Sequence, residues 1–349
     1  MKSLMRWLVR GMLNRPDAAL VKQSGGNTRT VAGRTLDPRF QFLEAQARKR
    51  PLPDPFDQHA GRAGTDELVY MFGGKPEPGV RWSAVVIPAD GRSIPARIYL
   101  PAKQNPATPL MVFYHFGGGV VGNLETCHAF CSILANAMAA PVLSVDYRLA
   151  PEHRWPAGLD DAAQAYVWAL ANAAKFGAPT GKASVGGDSM GGNFSAIVCQ
   201  EMKRRGGAAP VLQLLIYPAT DLTAQGGSMR DFADAFPLTA DTMAWFMSQY
   251  LPAGADLRDP RLSPALEEDL RGLPPALVYT AGFDPLSDQG AAYAKALSAV
   301  GVATRFHCFD NLAHGFTAFT GAIPAADAAC RRMARDVAAL LAAYKAQAL

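Results

Sequence analysis

The chain has little with which to hold a polyanion. Its 34 basic and 30 acidic residues are interspersed and leave a formal charge of only +4. No long cationic block is available to track phosphates, so a nucleic-acid partner is not expected. Cysteine is scarce: the five residues at 127, 131, 199, 308 and 330 are odd in number and scattered. They give no disulfide framework, and Cys127/Cys131 has no second pair to complete a zinc site, so the expectation is reduced structural thiols in a cytoplasmic protein without a metal. Apolar runs long enough to cross a bilayer are missing as well. The N-terminal stretch M-K-S-L-M-R-W-L-V-R-G-M-L-N-R-P is apolar and basic, but Arg6 and Arg10 break any secretory core and no small-residue cleavage site follows. Leu4, Trp7, Leu8 and Leu13 lie near helical spacing instead, which predicts an amphipathic helix for docking on a core, a partner or a membrane surface, without stable membrane insertion. No internal repeat or low-complexity segment is visible.

What the chain does have is bulk. With 349 residues, 49% hydrophobic and 18% charged, it can bury a large core as one elaborated domain or two at most. Up to about residue 78 the sequence is irregular, with one clear helix at Asp37 to Arg50, where Phe40, Leu43 and Ala47 share a face. From Val80 two extended runs flank Asp90-Gly91, a hairpin signal. Strands and helices then alternate. Strands are expected at 110–114, 141–146, 183–187, 211–217, 276–281 and 304–309, and helices at 128–139, 159–176, 189–205, 289–300 and 325–348. Such alternation implies an α/β fold, a mostly parallel sheet with helices on both faces. Residues 221–272 break the alternation. They carry Phe232, Phe236, Met243, Trp245, Phe246 and Tyr250, too apolar for a linker, and are expected to pack over one edge of the sheet.

Two glycine-rich stretches carry the chemistry. In S-V-G-G-D-S-M-G-G, residues 184–192, a β-rich run stops and a helix starts around G-x-S-x-G at Gly187 to Gly191. That is what a nucleophile elbow needs: a turn too tight for side chains, lifting Ser189 clear of the sheet. A serine hydroxyl needs a base to take its proton, and the base needs an orienting acid. Asp284 is the first carboxylate past the strand ending at Ala281, and His314 lies in the loop after the strand ending at Phe309, so order and placement fit. Asp288 is the rival acid, four residues on, where a helix start explains it. His307, the rival base, sits inside a strand, and His59, His128 and His153 precede the serine. The second stretch, H-F-G-G-G-V-V-G at 115–122, contains G-x-G-x-x-G, with Asp146 near the distance expected of a ribose-binding acid. A lone fingerprint of this kind is weak, and a dinucleotide site would leave Ser189, Asp284 and His314 unexplained.

These residues together resemble the hormone-sensitive-lipase-like esterases, the family IV carboxylesterases of the α/β-hydrolase superfamily. The resemblance runs through the glycine-rich loop, Asp146-Tyr147-Arg148-Leu149-Ala150-Pro151-Glu152-His153, the Gly187-Asp188-Ser189-Met190-Gly191 elbow, Pro274-Pro275, Asp284-Pro285-Leu286 and His314-Gly315-Phe316. It implies an α/β-hydrolase fold and a cofactor-free, metal-free serine esterase for small, short-acyl carboxylic esters. Residues 1–78 would contribute cap helices to a catalytic domain at 79–349, with a cap insertion at about 221–272. The family's loop reads H-G-G-G followed by an aromatic residue. Counting back from Gly122-Asn123-Leu124-Glu125-Thr126 makes Phe116 a substitution for the first glycine, with Gly119 in the aromatic's place. The resemblance implies oxyanion donors at the backbone N–H groups of Gly117, Gly118 and Met190. Phe116, Gly119, Asp188, Phe236, Trp245 and Phe246 are expected to line the substrate pocket. It also implies a homodimer through the edge strand at Thr304 to Phe309. The same triad chemistry would serve a lactonase or amidase, and related folds act as non-catalytic ligand binders.

Overall fold

Four helices come before the main sheet in a computed structural model that describes residues 2–49 and 56–347. They are α1 (Lys2–Leu13), α2 (Asp17–Gln23), α3 (Pro38–Ala47) and α4 (Gln58–Phe72), with a small hairpin of β1 (Thr30–Val31) and β2 (Arg34–Thr35) ahead of α3. The expected helices α1 and α3 are present, and the expected end of α3 at Arg50 lies outside the described residues. Helices α2 and α4 correct the reading of this region as irregular. Helix α2 is too short to show a period. Helix α4 carries Gly61 and Gly64, which weaken helix propensity, yet a Cβ at Gly61 would lie 2.9 Å from the Trp245 ring. A tertiary contact selected the glycine against local preference. Asp57 caps the helix by accepting from the Ala60 N–H at 2.9 Å.

The main sheet has eight strands: β3 (Arg81–Ala89), β4 (Arg92–Leu100), β5 (Leu110–Tyr114), β6 (Val142–Val145), β7 (Ala183–Asp188), β8 (Gln213–Ile216), β9 (Ala276–Phe283) and β10 (Thr304–Ala313). Their order is β10-β9-β8-β7-β5-β6-β4-β3. The hairpin β3–β4 closes at Asp90-Gly91, and β4 joins β6 antiparallel; every other pairing is parallel. Helices α5 (His128–Met138), α6 (Ala157–Asn172), α7 (Met190–Arg204), α10 (Ser287–Ala299) and α11 (Pro324–Gln347) surround the sheet, while α8 (Ser228–Asp231) and α9 (Ala240–Tyr250) lie in the 221–272 interruption. Alternate side chains of β5 divide between two cores, as period two requires. Met111 and Phe113 pack with Phe130 of α5 and Met333 of α11. Leu110, Val112 and Tyr114 pack with Tyr166 of α6 and Ile197 of α7. Predicted and observed boundaries mostly agree within two residues. The exceptions are α3, which stops at Ala47, α6, which stops at Asn172 and passes into a 3-10 turn at Ala173–Phe176, and β10, which runs on to Ala313 through a register irregularity after Phe309.

Helix α4 is fastened to the sheet domain by Asp66, which accepts from Asn123 Nδ2 at 2.8 Å, by Phe72 stacked on Phe319, and above all by Arg62. Arg62 donates to Val120 O and Ala150 O, both at 3.0 Å, and forms a two-point pair with Glu152 at 2.9 and 2.6 Å. The Arg62 guanidinium holds the largely exposed Glu152 carboxylate down at about 2, from an ordinary 4.5. A lowered carboxylate stabilises the fold fully above its unfolded value and stops doing so as pH falls through its folded value. Glu152→Gln is therefore expected to lower the urea-unfolding midpoint at neutral pH, with the deficit shrinking between pH 4.5 and about 2. A deficit that is constant across that window would show that the charge is irrelevant to the docking of α4.

Candidate active site

Strand β7 is buried along its whole length and stops at Asp188; α7 starts at Met190. Ser189, the single residue between them, has φ 56° and ψ −116°, a conformation L residues rarely adopt. The turn survives because its flanks have no side chains. A Cβ at Gly191 would lie 1.9 Å from Tyr114 O, and one at Gly187 2.3 Å from the Gly191 carbonyl. The Ser189 N–H donates to Ile216 O of β8 at 2.8 Å, and the Asn193 side chain pins the turn to Ala219 O and Leu262 O at 2.7 and 2.8 Å. Sheet and helix together hold the serine in its strained state.

Two loops bring the remaining groups to it. Asp284 follows the end of β9 directly, and its Oδ1 accepts from the Leu286 N–H at 2.8 Å. His314 follows the end of β10 directly, so the extra length of that strand delivers it. Its Nδ1 lies 2.8 Å from Asp284 Oδ2 and its Nε2 2.9 Å from Ser189 Oγ. With the ring proton on Nδ1, donated to the carboxylate, Nε2 keeps a lone pair to accept from the serine hydroxyl. Asp284 is fully buried, whereas His314 and Ser189 keep 6% and 8% of their surface, enough to meet a small molecule. The rivals have other work: Asp288 accepts from the Ser228 N–H at 2.8 Å, and His307 meets Arg332 at 2.9 Å.

The 115–122 loop faces the same point. Gly117, Gly118 and Gly119 have φ of 129°, 61° and 74°, and no side chain fits there: a Cβ at Gly117 would lie 2.0 Å from Val121 O, and one at Gly118 2.5 Å from the Phe246 ring. Gly117, Gly118 and Met190 all line the cavity into which Ser189 and His314 open. Met190 starts α7, so its N–H belongs to the set without intrahelical acceptors. His115 props the loop from behind. It is fully buried, its Nδ1–H donates to Phe116 O at 2.7 Å, and it stacks on Tyr147 with centroids 4.2 Å apart. Burial pulls its pKa down to about 4, so it stays neutral.

The cavity has a volume of about 530 Å³ and an apolar lining. Of the expected lining residues, Phe116, Trp245 and Phe246 are there. Three are not. Asp188 is fully buried behind the elbow, where Tyr217 Oη (2.9 Å), Thr317 Oγ1 (2.6 Å) and Cys127 Sγ (3.4 Å) donate to it. Burial raises its pKa, and the Thr317, Tyr217 and Cys127 donors oppose that rise. Side chains alternate across a strand, so the residue before the nucleophile points into the sheet's packing layer. Gly119 stands one layer back, because Tyr250 fills the space in front of it: a Cβ there would lie 2.5 Å from that ring. Phe236 packs on Phe319 and leaves Pro237 and Leu238 at the wall. Beyond loop residues such as Val121, Leu222 and Leu238, the residues missed are on helices. Met243, Met247 and Tyr250 of α9, with the expected Phe246, follow the i, i+3, i+4, i+7 spacing of a single face, a signal the sequence did contain. Gly61, Thr65 and Leu68 of α4 belong to the helix that was not foreseen.

Comparison with known proteins fits this geometry. Residues 111–318 match a family model described as the alpha/beta hydrolase fold. The chain is 45% identical to carboxylic ester hydrolase LipN of Mycobacterium tuberculosis, over 84% of this chain and 80% of the relative. It is 36% identical to an ethyl acetate hydrolase of Pseudomonas putida, over 82% and 92%. Among solved structures, an ester hydrolase from a Lake Arreo metagenome superposes with a TM-score of 0.80 at 38% identity, covering 88% of this chain and 97% of that one.

The crowding at the elbow has a measurable consequence. Gly191→Ala is expected to cost about 3 kcal/mol of unfolding free energy or more, because the new methyl meets backbone that cannot yield. Gly11→Ala, on α1 with open space around it, is expected to gain about 0.5–1 kcal/mol instead. Equal effects in chemical denaturation would contradict the packing described.

Proposed function

Because the chain belongs to the α/β-hydrolase fold family, in its hormone-sensitive-lipase-like carboxylesterase branch, we propose that Ser189, His314 and Asp284 are the catalytic triad of a serine carboxylesterase acting on small carboxylic esters. The observation that carries the assignment is the unbroken hydrogen-bond chain from Ser189 Oγ through both ring nitrogens of His314 to Asp284, opening into one apolar cavity. His314 Nε2 removes the hydroxyl proton as Ser189 Oγ attacks the ester carbonyl carbon. The imidazolium so formed is stabilised by buried Asp284. The carbonyl oxygen becomes an oxyanion that the N–H groups of Gly117, Gly118 and Met190 receive; main-chain donors fixed in place need no reorganisation as charge develops. His314 then gives its proton to the leaving alkoxide and the alcohol departs. Water, deprotonated by the same nitrogen, attacks the acyl-enzyme, and Ser189 is regenerated as the acid leaves.

Helix α4 and the segment holding α8 and α9 act in this reading as the cap. They supply the wall opposite the triad and shield the reacting groups from bulk solvent, leaving room for the one water that deacylation consumes. The five unpaired thiols support a reducing, cytoplasmic setting, and among the described residues no helix is long and apolar enough to cross a membrane. Strand β10, at one edge of the sheet with Phe306 exposed, is the proposed homodimer contact.

Ser189→Ala is expected to lower kcat for p-nitrophenyl butyrate by at least about 10⁴-fold with the thermal midpoint kept within a few degrees; retained turnover would remove the serine from the mechanism. Phe116 occupies part of the cavity wall, so Phe116→Ala is expected to shift the ratio of kcat/KM values toward longer acyl chains by about tenfold. An unchanged ratio across a graded p-nitrophenyl ester series would make the residue a packing element only.

A further inference from the structure

Helix α1 turns inward a side that carries arginines beside core-packed Val9, Met12 and Leu13, and leaves a second apolar side facing out. At about 100° per residue, Arg6, Val9, Arg10 and Leu13 fall on one side and Leu4, Trp7, Leu8 and Gly11 on the other. An amphipathic helix on a protein usually buries its apolar side. Here the side carrying the arginines faces inward. Arg6 Nη2 donates to Gly73 O at 3.0 Å, and Arg10 donates to Met71 O at 2.9 Å and to Gly73 O at 2.7 Å. These carbonyls lie at the C-terminal end of α4, where a helix leaves acceptors without partners and attracts cations. With the arginines committed there, Leu4, Trp7 and Leu8 are left 61%, 71% and 46% exposed, and Met5 beside them 56%.

Single exposed apolar side chains are ordinary, but a contiguous group is not. Among the described residues, four of the ten exposed large hydrophobics lie within this one helix, and a fifth, Tyr70, sits beneath the Arg6 guanidinium at 5.0 Å. The segment that carries the group is itself purely basic, with exposed Glu67 of α4 and Asp17 of α2 the acidic residues next to it in the fold and the chain. Residues 1–16 hold Lys2, Arg6, Arg10 and Arg15 and no carboxylate, and Lys2 and Arg15, near the two ends of the helix, are exposed.

We propose that the outer face of α1 docks this protein on an anionic lipid surface, with the helix lying in the plane of the interface. Leu4, Trp7 and Leu8 would enter the acyl boundary, and Lys2 and Arg15 would reach anionic headgroups at its edges. A second copy of the chain fits the same face poorly. A two-fold contact there would bring Lys2 and Arg15 near their own copies with no carboxylate in the segment to offset them. The location also gives the docking a use. The helix that takes the α1 arginines on its end is α4, which contributes Gly61, Thr65 and Leu68 to the cavity around Ser189. A lipid-bound α1 would hold one wall of that cavity close to the phase in which apolar molecules collect.

The test is co-sedimentation of the full chain with phosphatidylcholine vesicles and with mixed phosphatidylcholine–phosphatidylglycerol vesicles. It is run on the wild type, on Leu4→Ser/Trp7→Ser/Leu8→Ser and on Lys2→Gln/Arg15→Gln. The wild type is expected to sediment with the mixed vesicles and to be released by salt. The triple variant is expected to bind at least about tenfold more weakly, with p-nitrophenyl butyrate hydrolysis in vesicle-free buffer unchanged. Trp7→Ser alone, at the most exposed position, gives a smaller loss and keeps the test open should the triple variant fold poorly. Wild type that ignores the mixed vesicles, or a triple variant that binds them as tightly, overturns the proposal. So does a dimer that the triple variant dissolves in the absence of vesicle binding, since the face would then belong to a second copy. None of these readings depends on the catalytic assignment.

Discussion

The turn at Ser189 is the constraint around which the rest of the molecule is arranged. A residue with φ of 56° between a strand and a helix is costly by itself, and it holds only because β7, β8 and α7 are all packed against it. Gly187 and Gly191 let the helix come down onto Tyr114 O at a separation no side chain could share. That contact fixes where α7 begins, and with it the direction of the Met190 N–H. It also places the serine hydroxyl at the C-terminal end of the parallel strands, where β9 and β10 also end, so that Asp284 and His314 need only be the first residues past those strands. The hydrogen-bond chain is a product of strand ends and not of long flexible loops.

Much of this was legible in the sequence because it depends on local rules. Gly-x-Ser-x-Gly between a β-rich run and a helix, a carboxylate after one strand and a histidine after the next are features of spacing and order, and the structure brings the three residues together. The sheet was legible for the same reason, since a parallel strand buried on both faces must read as a continuous apolar run. The proposed cap was less so. Gly61 lowers the helix propensity of α4, and its reason, the Trp245 ring, lies far away in the chain. Asp188 was misplaced because its neighbour's exposure said nothing of its own; alternation along β7 turns it inward to Tyr217 and Thr317.

The exchange of residues in the 115–122 loop has a clearer meaning in three dimensions. Phe116 reaches the cavity wall while also packing against the core cluster that contains Phe319. Gly119 opens no new space, because Tyr250 of α9 occupies it. One aromatic ring has been traded for another carried by a different element, and the wall beside Gly117 and Gly118, the proposed oxyanion donors, belongs partly to α9. The loop and α9 are packed as one wall: Phe246 lies against Gly118 and Tyr250 against Gly119. At the other end of the same wall, α4 is tied down by Arg62 and carries α1 on its C-terminal carbonyls.

The central claim, that Ser189 is made nucleophilic by His314, is tested most directly by reaction with a fluorophosphonate followed by peptide mass spectrometry. The account predicts one phosphonyl adduct, on Ser189, formed in the wild type and lost in His314→Gln while the fold is retained. An adduct on another residue with Ser189 unmodified, or equal labelling of Ser189 without the histidine, would contradict it.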